Sequence, residues 1–356
     1  MPHDSRLKSS FALADRQIGH GQPVFIIAEI GVNHNGDLQL AKDMVAAAAA
    51  CGADCVKFQT FRADEFMADK KLIYEYESAG QRVRESMYDM FKRLELPLAW
   101  HQELFATARQ LGVCPLTSVA YPLSADLVTD IGVAGYKLSS EDLINLPLVE
   151  HVAQKGKPIL FSTGMSDAEE VADVVAILQK YHANEWVFLH CVSLYPTPDK
   201  EANLRRMRTL AEAVQGPVGY SDHTVGITAC LGAVALGACV LEKHFTTDKN
   251  LAGPDHALSA NPEEFRALVQ SVRRLEAQLG SSQLAPSQTE LVQRQEFRRS
   301  IVASQDLAEG HVITTDDLAL KRPGYGLRAR DMPSLVGKKL QHAVHKDDVI
   351  QHNDVK

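Results

Sequence analysis

Eight short apolar runs punctuate the chain, at residues 24–31, 55–60, 113–119, 135–140, 158–163, 187–192, 217–223 and 240–245. Each has the length of one buried strand. Near-continuous apolar character is what a strand needs when both faces of its sheet are covered, as in an all-parallel sheet. Helical patterns lie between the runs. Residues 37–51 open on an Asp that can cap free N–H groups, and they stop at Gly52. The last helix is the most explicit. Asn261 stands at the cap, Pro262 in the first turn, and Glu263 and Glu264 where the helix dipole favours negative charge. Phe265, Leu268, Val269, Val272, Leu275 and Leu279 then share one stripe, and Gly280 ends it. Eight strands alternating with helices predict an α/β fold, a closed (β/α)8 TIM barrel. An open doubly wound sheet would call for a G-x-G-x-x-G turn after the first strand, and none is present.

Beyond Gly280 the composition changes. Ser281, Ser282, Gln283, Pro286, Ser287 and Gln288 read as a linker over 281–296. From 297 to 356 come strand-like pieces at 300–303 and 318–321, with turn signals at Glu309-Gly310 and Pro323-Gly324. The expected organisation is a barrel over 1–280, the linker, and a small, mostly β domain over 297–356. So short a domain buries little by itself, so it is expected to dock on the barrel or on a partner chain. A formal net charge of −8 offers no basic footprint for nucleic acid. No apolar run approaches the roughly 18 residues of a membrane span. Residues 1–15 hold no apolar stretch of signal-peptide length, so the cytoplasm is the expected compartment. Cys51, Cys55, Cys114, Cys191, Cys230 and Cys239 form no C-x-x-C pair and several sit in apolar stretches, the pattern of reduced, buried thiols.

A barrel of this kind places its active site at the C-terminal ends of the strands, and here each of those ends is polar. Glu29 lies near the end of the first run, which leads into Asn33-His34-Asn35-Gly36. The second carries Lys57 and Gln59, the third Thr117, the fourth Lys137 and Ser140, and the fifth Ser162 and Thr163. The sixth carries His190 and leads to Ser193 and Tyr195; the seventh ends Ser221-Asp222-His223; the eighth holds Glu242 and His244. Lysines inside strands cost several kcal/mol to bury unpaired. Lys57 and Lys137 therefore need anions. These are either strand carboxylates such as Glu29 and Glu242, or a ligand's phosphate and carboxylate, with the hydroxyls of Thr117, Ser140, Ser162 and Ser221 as further donors. A Schiff-base lysine is a third possibility. Glu242 and His244, two apart, face one side of their strand, and His223 ends the neighbouring one. Two imidazoles from adjacent strands can hold a divalent metal and leave room for substrate. His190 reads as a core hydrogen-bonding group, His34 fits a turn or a site, and His342, His345 and His352 have no site-like spacing.

Several blocks, in order, resemble the sialic acid synthase family: 28–36, reading AEIGVNHNG, then Val56-Lys57-Phe58-Gln59-Thr60, Tyr136-Lys137-Leu138-Ser139-Ser140 and Ser162-Thr163-Gly164-Met165. His190-Cys191 with Tyr195-Pro196, Gly219-Tyr220-Ser221-Asp222-His223-Thr224, Leu241-Glu242-Lys243-His244-Phe245-Thr246 and Gly253-Pro254-Asp255-His256 continue the match. Residues 299–349, with Val312, Leu318, Lys321-Arg322-Pro323-Gly324 and Gly337-Lys338, resemble the antifreeze-like (SAF) domain that follows the barrel in that family. The resemblance implies condensation of phosphoenolpyruvate with an N-acylmannosamine to give a nine-carbon 2-keto sugar acid and phosphate, with a divalent metal, Mn2+ or Mg2+. It implies metal ligation by His223 and His244. It assigns phosphoenolpyruvate to Lys57, Thr117, Lys137, Ser140, Ser162 and Ser221, and the sugar to Glu29, Gln59, Tyr195, Glu242, Asp255 and Arg322. Ser193 stands where some members have Asn, as one more phosphoenolpyruvate contact. Ser140-Glu141-Asp142 departs from the usual block after the fourth strand, which leaves Glu141 or Asp142 as the carboxylate near the reacting carbons, with Asp142 the candidate catalytic one beside Glu29 and Glu242. The family also implies a homodimer in which the small domain of one chain, through Arg322, covers the barrel of the other.

The sugar is N-acetylmannosamine on this reading, with a 2,4-diacetamido-2,4,6-trideoxymannose, the legionaminate precursor, as the alternative. A lysine-dependent pyruvate aldolase on the same barrel would need no metal. A non-catalytic sugar binder would not need a polar residue at every strand end.

Overall fold

The computed structural model describes residues 10–356. Of the leading segment considered for a signal peptide, residues 1–9 lie outside the described residues. Eight strands form the barrel: β1 (Phe25–Gly31), β2 (Cys55–Thr60), β3 (Cys114–Val119), β4 (Tyr136–Leu138), β5 (Ile159–Ser162), β6 (Trp186–Cys191), β7 (Val218–Asp222) and β8 (Val240–His244). They pair in parallel in chain order, and β8 closes on β1. Every apolar run of the sequence holds one of them. The fourth pairs over only Tyr136–Leu138, because Ser139 and Ser140 turn away: their carbonyls accept from the N–H groups of Asp142 and Leu143.

Strand alternation sorts the core. Ile26, Ala28, Ile30, Val56 and Phe58 face the helical layer. Phe25, Ile27, Cys55, Leu116, Leu160, Val187, Leu189 and Val240 pack inside. Phe11, Leu13 and Ile18 join that inner cluster. They come from an antiparallel hairpin, Ser10–Leu13 with Arg16–Gly19, that seals the N-terminal end of the barrel. The register then builds a charged layer above the apolar one. Glu29 lies beside Lys57, Ser118 beside Lys137, Ser221 beside Glu242, and His244 beside Glu29.

The last barrel helix, Pro262–Leu279, is capped as its sequence implies. Asn261 Oδ1 accepts from Glu264 N at 2.9 Å, and the Glu264 carboxylate accepts from Asn261 N at 3.0 Å. A second hairpin, Ile73–Ser78 with Gln81–Ser86, follows β2 and has no counterpart in the sequence reading. Its Tyr74 and Tyr76 pack with Val32, Phe61, Met90 and Leu94.

The chain divides into two compact units, Met1–Gly280 and Ser281–Lys356. In the second, helix Gln288–Phe297 occupies much of the expected linker, opened by a reciprocal Ser287–Glu290 cap. Ser300–Ala303 pairs antiparallel with Leu318–Lys321 over a core that includes Ile301, Leu307, Ile313, Leu340 and Ile350. Among the described residues no helix is long and apolar enough to cross a membrane.

Candidate active site

A cavity opens at the C-terminal ends of the strands. Its floor is the charged layer. Lys57 Nζ lies 2.8 Å from Glu29 Oε2 and 3.6 Å from Glu242 Oε1. Gln59 Nε2 donates to Glu29 Oε1 at 2.8 Å, and Ser221 Oγ donates to Glu242 Oε1 at 3.1 Å. Lys57 thus takes the strand-carboxylate option.

Lys137 does not. Its ammonium donates to Ser162 Oγ at 2.6 Å and to the Leu138 carbonyl at 2.8 Å. Among the described residues it has no carboxylate in ion-pair contact. Burial pulls its pKa down, although Glu242 works in the other direction.

The two floor carboxylates are driven apart. Burial pushes Glu29 up to about 7; Lys57 opposes that and the charge of Glu242 adds to it. Burial also works against a charged Glu242, yet Lys137 and Lys57 hold it below the ordinary carboxylate range. Asp142 also lines the cavity, on the turn after β4, and burial with the neighbouring Glu141 pushes it up to about 7. Ser139 Oγ donates to it at 2.9 Å. One ionised carboxylate beside two that titrate near neutrality is the arrangement that separates acid and base roles.

His223 and His244 meet at the same rim, ring centroids 5.3 Å apart. His223 Nδ1 donates to the Val192 carbonyl at 2.8 Å, so in the neutral imidazole Nε2 carries the lone pair; burial pulls its pKa down, but Cys191 and the Val192 carbonyl outweigh that and push it up to about 9. His244 Nδ1 is buried without a hydrogen-bond partner, and Asp255 Oδ2 stands 3.6 Å from it. Glu242 Oε2 is likewise buried and unpartnered. Native proteins rarely leave such atoms unsatisfied, so orphans gathered in one cavity point to a ligand. Tyr195 lies over His223 with centroids 4.1 Å apart.

Backbone geometry shapes the floor. Gly31 has φ +54, and a Cβ there would come within 2.9 Å of Glu29 Oε1. Gly164 N donates to Ser140 Oγ at 3.0 Å, and a Cβ on it would lie 2.2 Å from Ser193 Oγ and 2.7 Å from Ser140 Oγ.

The expected residues do not all reach the cavity. Glu29, Lys57, Gln59, Lys137, Ser140, Asp142, Ser162, Tyr195, Ser221, His223, Glu242 and His244 line it. Thr117 does not. Its hydroxyl is 2.8 Å from that of Thr60, which in turn contacts His101 Nε2 on a barrel helix. Leu116 pairs with Lys57 and Ser118 with Lys137, so alternation sends Thr117 outward and puts Ser118 on the cavity wall. Ser193 packs behind Gly164 and lines a neighbouring cleft. Asp255 reaches His244 and is not among the lining residues. Arg322 belongs to the second unit, its guanidinium 5.3 Å from the Phe297 ring centroid.

His190 is the core group expected, with Nε2 donating to the Ala202 carbonyl at 2.8 Å. His34 serves a turn, accepting from Gly36 N at 3.0 Å. All six cysteines are free and buried, but Cys191 also lines the cavity, 3.9 Å from His223 Nδ1.

Behind the histidines lies a buried pair that the sequence reading passed over. Lys243 Nζ donates to Asp222 Oδ2 at 2.7 Å, and Asp222 also accepts from Tyr220 and Thr224 N. Each pair member precedes one of the two imidazoles, so the lock holds both strand ends in place.

Residues 44–284 match the NeuB family, and residues 298–356 match the SAF domain. The N,N'-diacetyllegionaminic acid synthase of Legionella pneumophila is 44% identical over 90% of this chain and 92% of its own length. The human N-acetylneuraminate-9-phosphate synthase is 36% identical over 94% and 93%. The crystal structure of the N-acetylneuraminic acid (sialic acid) synthetase from Leptospira borgpetersenii, in complex with citrate, superposes with a TM-score of 0.73. It is 33% identical and covers 80% of this chain and 94% of its own.

Proposed function

This chain belongs to the NeuB family, and from that premise we propose that it condenses phosphoenolpyruvate with an N-acyl amino sugar of the mannose type. The products are a nonulosonic acid and inorganic phosphate. The observation that carries the reading is the floor of the cavity. Lys137 is a buried ammonium with only neutral protein acceptors, and Ser162 and Ser221 stand on the same floor. Such a group is completed by an anionic substrate.

In this reaction carbon three of phosphoenolpyruvate bonds to the aldehyde carbon of the open-chain sugar. A water oxygen adds at carbon two, and the C2–O bond to phosphate then breaks to leave a ketone; of the water's two protons, one ends on the former aldehyde oxygen, now a hydroxyl, and the other leaves with the phosphate. Lys57, Lys137, Ser140, Ser162 and Ser221 hold the phosphate and carboxylate. Glu29, pushed up to about 7, takes the water's proton while Gln59 and Lys57 fix its two oxygens. Glu242, kept ionised, supports the positive charge that develops at carbon two.

A divalent ion, manganese or magnesium, is part of the proposal. The residues fit one: His223 has its Nε2 free, His244 stands beside it, and orphaned acceptors surround them. Among the described residues no group of three or more His, Cys, Asp or Glu is placed to hold a metal. The protein's share would be the two imidazoles of His223 and His244. When bound, the ion supplies Lewis-acid polarisation of the aldehyde oxygen.

The test is phosphate release from phosphoenolpyruvate with and without added sugar, in a cytoplasm-like buffer containing manganese. Release that depends on an N-acylmannosamine supports the reading, and none with any member of a sugar panel overturns it. The depressed Lys137 favours one other reading, a lysine-dependent aldolase. That enzyme would use pyruvate, release no phosphate and be trapped by borohydride.

A homodimer with Arg322 of one chain serving the other's sugar site is also proposed. Arg322→Ala and His244→Ala chains are each expected to be nearly inactive alone, and to regain activity when mixed and exchanged. No recovery in a mixture shown to contain heterodimers would mean that Arg322 serves its own barrel or none.

A further inference from the structure

The loop after β8 closes on itself. It leaves the strand at His244 and returns where Ala260 N donates to the His244 carbonyl at 2.8 Å and Thr246 N donates to the Ala260 carbonyl at 3.0 Å. Between those ends, His256 Nδ1 stands 2.7 Å from Thr246 Oγ1. A compact loop with its ends together, packed by its own side chains, often serves a site. This one carries Asp255, whose Oδ2 stands 3.6 Å from His244 Nδ1.

Three groups from elsewhere in the chain hold the loop. Asn33, on the turn after β1, donates through Nδ2 to Ser259 Oγ and to the Phe245 carbonyl, each at 2.9 Å. Ser259 Oγ in turn donates to the Asp255 carbonyl at 2.6 Å. Asn35 Nδ2 donates to the Ala252 carbonyl at 2.8 Å. Ser78 Oγ, at the end of hairpin strand Ile73–Ser78, accepts from Gly253 N at 2.9 Å. Gly253 permits this close fit, since a Cβ on it would come within 2.7 Å of His256 Cδ2 and 3.0 Å of Asn35 Oδ1.

Asn33 is the informative member. Its side chain is fully buried, and its Oδ1 has no hydrogen-bond partner among the described residues. A buried amide with an unsatisfied oxygen costs stability, and an apolar side chain of similar size would not. What the amide supplies is two N–H donors, and both reach the segment after β8. Neither Asn33 nor Ser259 lines the cavity.

We infer that Asn33 and Ser259 are positioning residues: together they hold the Asp255 carboxylate beside His244, and that carboxylate keeps the ring proton on Nδ1. In a neutral imidazole the lone pair then lies on Nε2. At 3.6 Å the pair is longer than a hydrogen bond, and a small side-chain rotation closes it. Contacts of this kind are commonly long until substrate binds. The consequence for turnover rests on the reaction proposed above; the state of the ring does not.

The test has two arms. The first is the 15N spectrum of histidine-labelled protein at a pH where the ring is neutral, with His244 assigned by its loss in His244→Ala. The parent is expected to show His244 protonated at Nδ1. Asp255→Ala, Ser259→Ala and Asn33→Leu are each expected to move it toward the Nε2–H tautomer. The second is a double-mutant cycle on kcat/KM in the phosphate-release assay. Ser259→Ala is expected to lose about tenfold in the parent background, and less than about twofold when added to Asp255→Ala. Thermal melting should fall by the same amount in both backgrounds, because that loss does not pass through the carboxylate. Additive losses in kcat/KM, a parent His244 protonated at Nε2, or unchanged His244 signals in folded Ser259→Ala overturn the inference. If Asn33→Leu does not fold, Ser259→Ala, which removes a single hydroxyl, carries the test. If no sugar releases phosphate, the proposed reaction fails instead, and the histidine spectra decide the inference alone.

Discussion

His223→Ala and His244→Ala are each expected to lose at least on the order of 10³-fold in kcat/KM, the equivalent of about 4 kcal/mol of the proposed Lewis-acid stabilisation. The fold is expected to stay intact. The rings stand at the open ends of β7 and β8, and those ends are held from behind by the Asp222–Lys243 pair, which neither substitution touches. Circular dichroism and thermal melting should therefore match the parent protein. The variants should also bind manganese at least 10-fold more weakly by calorimetry, since each removes one of the two proposed protein ligands. A chelator should silence the parent enzyme, and manganese or magnesium should restore it. Full activity in chelator-treated protein would remove the metal from the mechanism.

Lys137→Met gives the second large effect, and it separates function from stability. A buried charge-assisted contact to a substrate anion is worth about 2–5 kcal/mol, so kcat/KM for phosphoenolpyruvate should fall by roughly 10²-fold or more. The KM for the sugar should move far less, because the lysine faces the floor. The variant should also melt at a higher temperature. In the free protein Lys137 is a desolvated cation held by a hydroxyl and a carbonyl, and an apolar chain of similar length fits that position at lower cost. Lys57→Met should do the opposite to stability, because it leaves Glu29 and Glu242 facing one another without the cation between them. Equal losses for both substrates in Lys137→Met would make that lysine structural.

The barrel was legible because its signal is local and repeated: each apolar run holds one strand, and each carries a polar residue toward its C-terminal end. What the runs do not contain is parity. Thr117 and Ser118 are equally good hydroxyls in sequence, and only the pairing of Leu116 with Lys57 shows which one faces inward. The same two-residue alternation, applied to Ser221-Asp222-His223 and Glu242-Lys243-His244, would have sent Asp222 and Lys243 outward to their buried pair. Two other signals were present. Tyr74-Glu75-Tyr76-Glu77 alternates before a left-handed Ala79-Gly80 turn, a hairpin pattern, and Ser287 with Glu290 is a helix-capping box inside the supposed linker. Asp255 is different. Its place beside His244 is set by the loop after β8, and no spacing rule reports it.

The hairpin that plugs the barrel makes this enzyme a room with a single door. Phe11, Leu13 and Ile18 fill the far end against Phe25 and Ile27, so nothing passes through the barrel axis. On the proposed reaction, the compound that belongs on the floor has to enter before the one that lies above it. On that proposal phosphoenolpyruvate is expected to load first and the sugar second, and the phosphate to leave only after the sugar acid has cleared the mouth. A sugar that arrives early blocks the doorway, so the order of arrival, and not only affinity, sets how fast the pair is turned over when sugar is abundant and phosphoenolpyruvate is scarce.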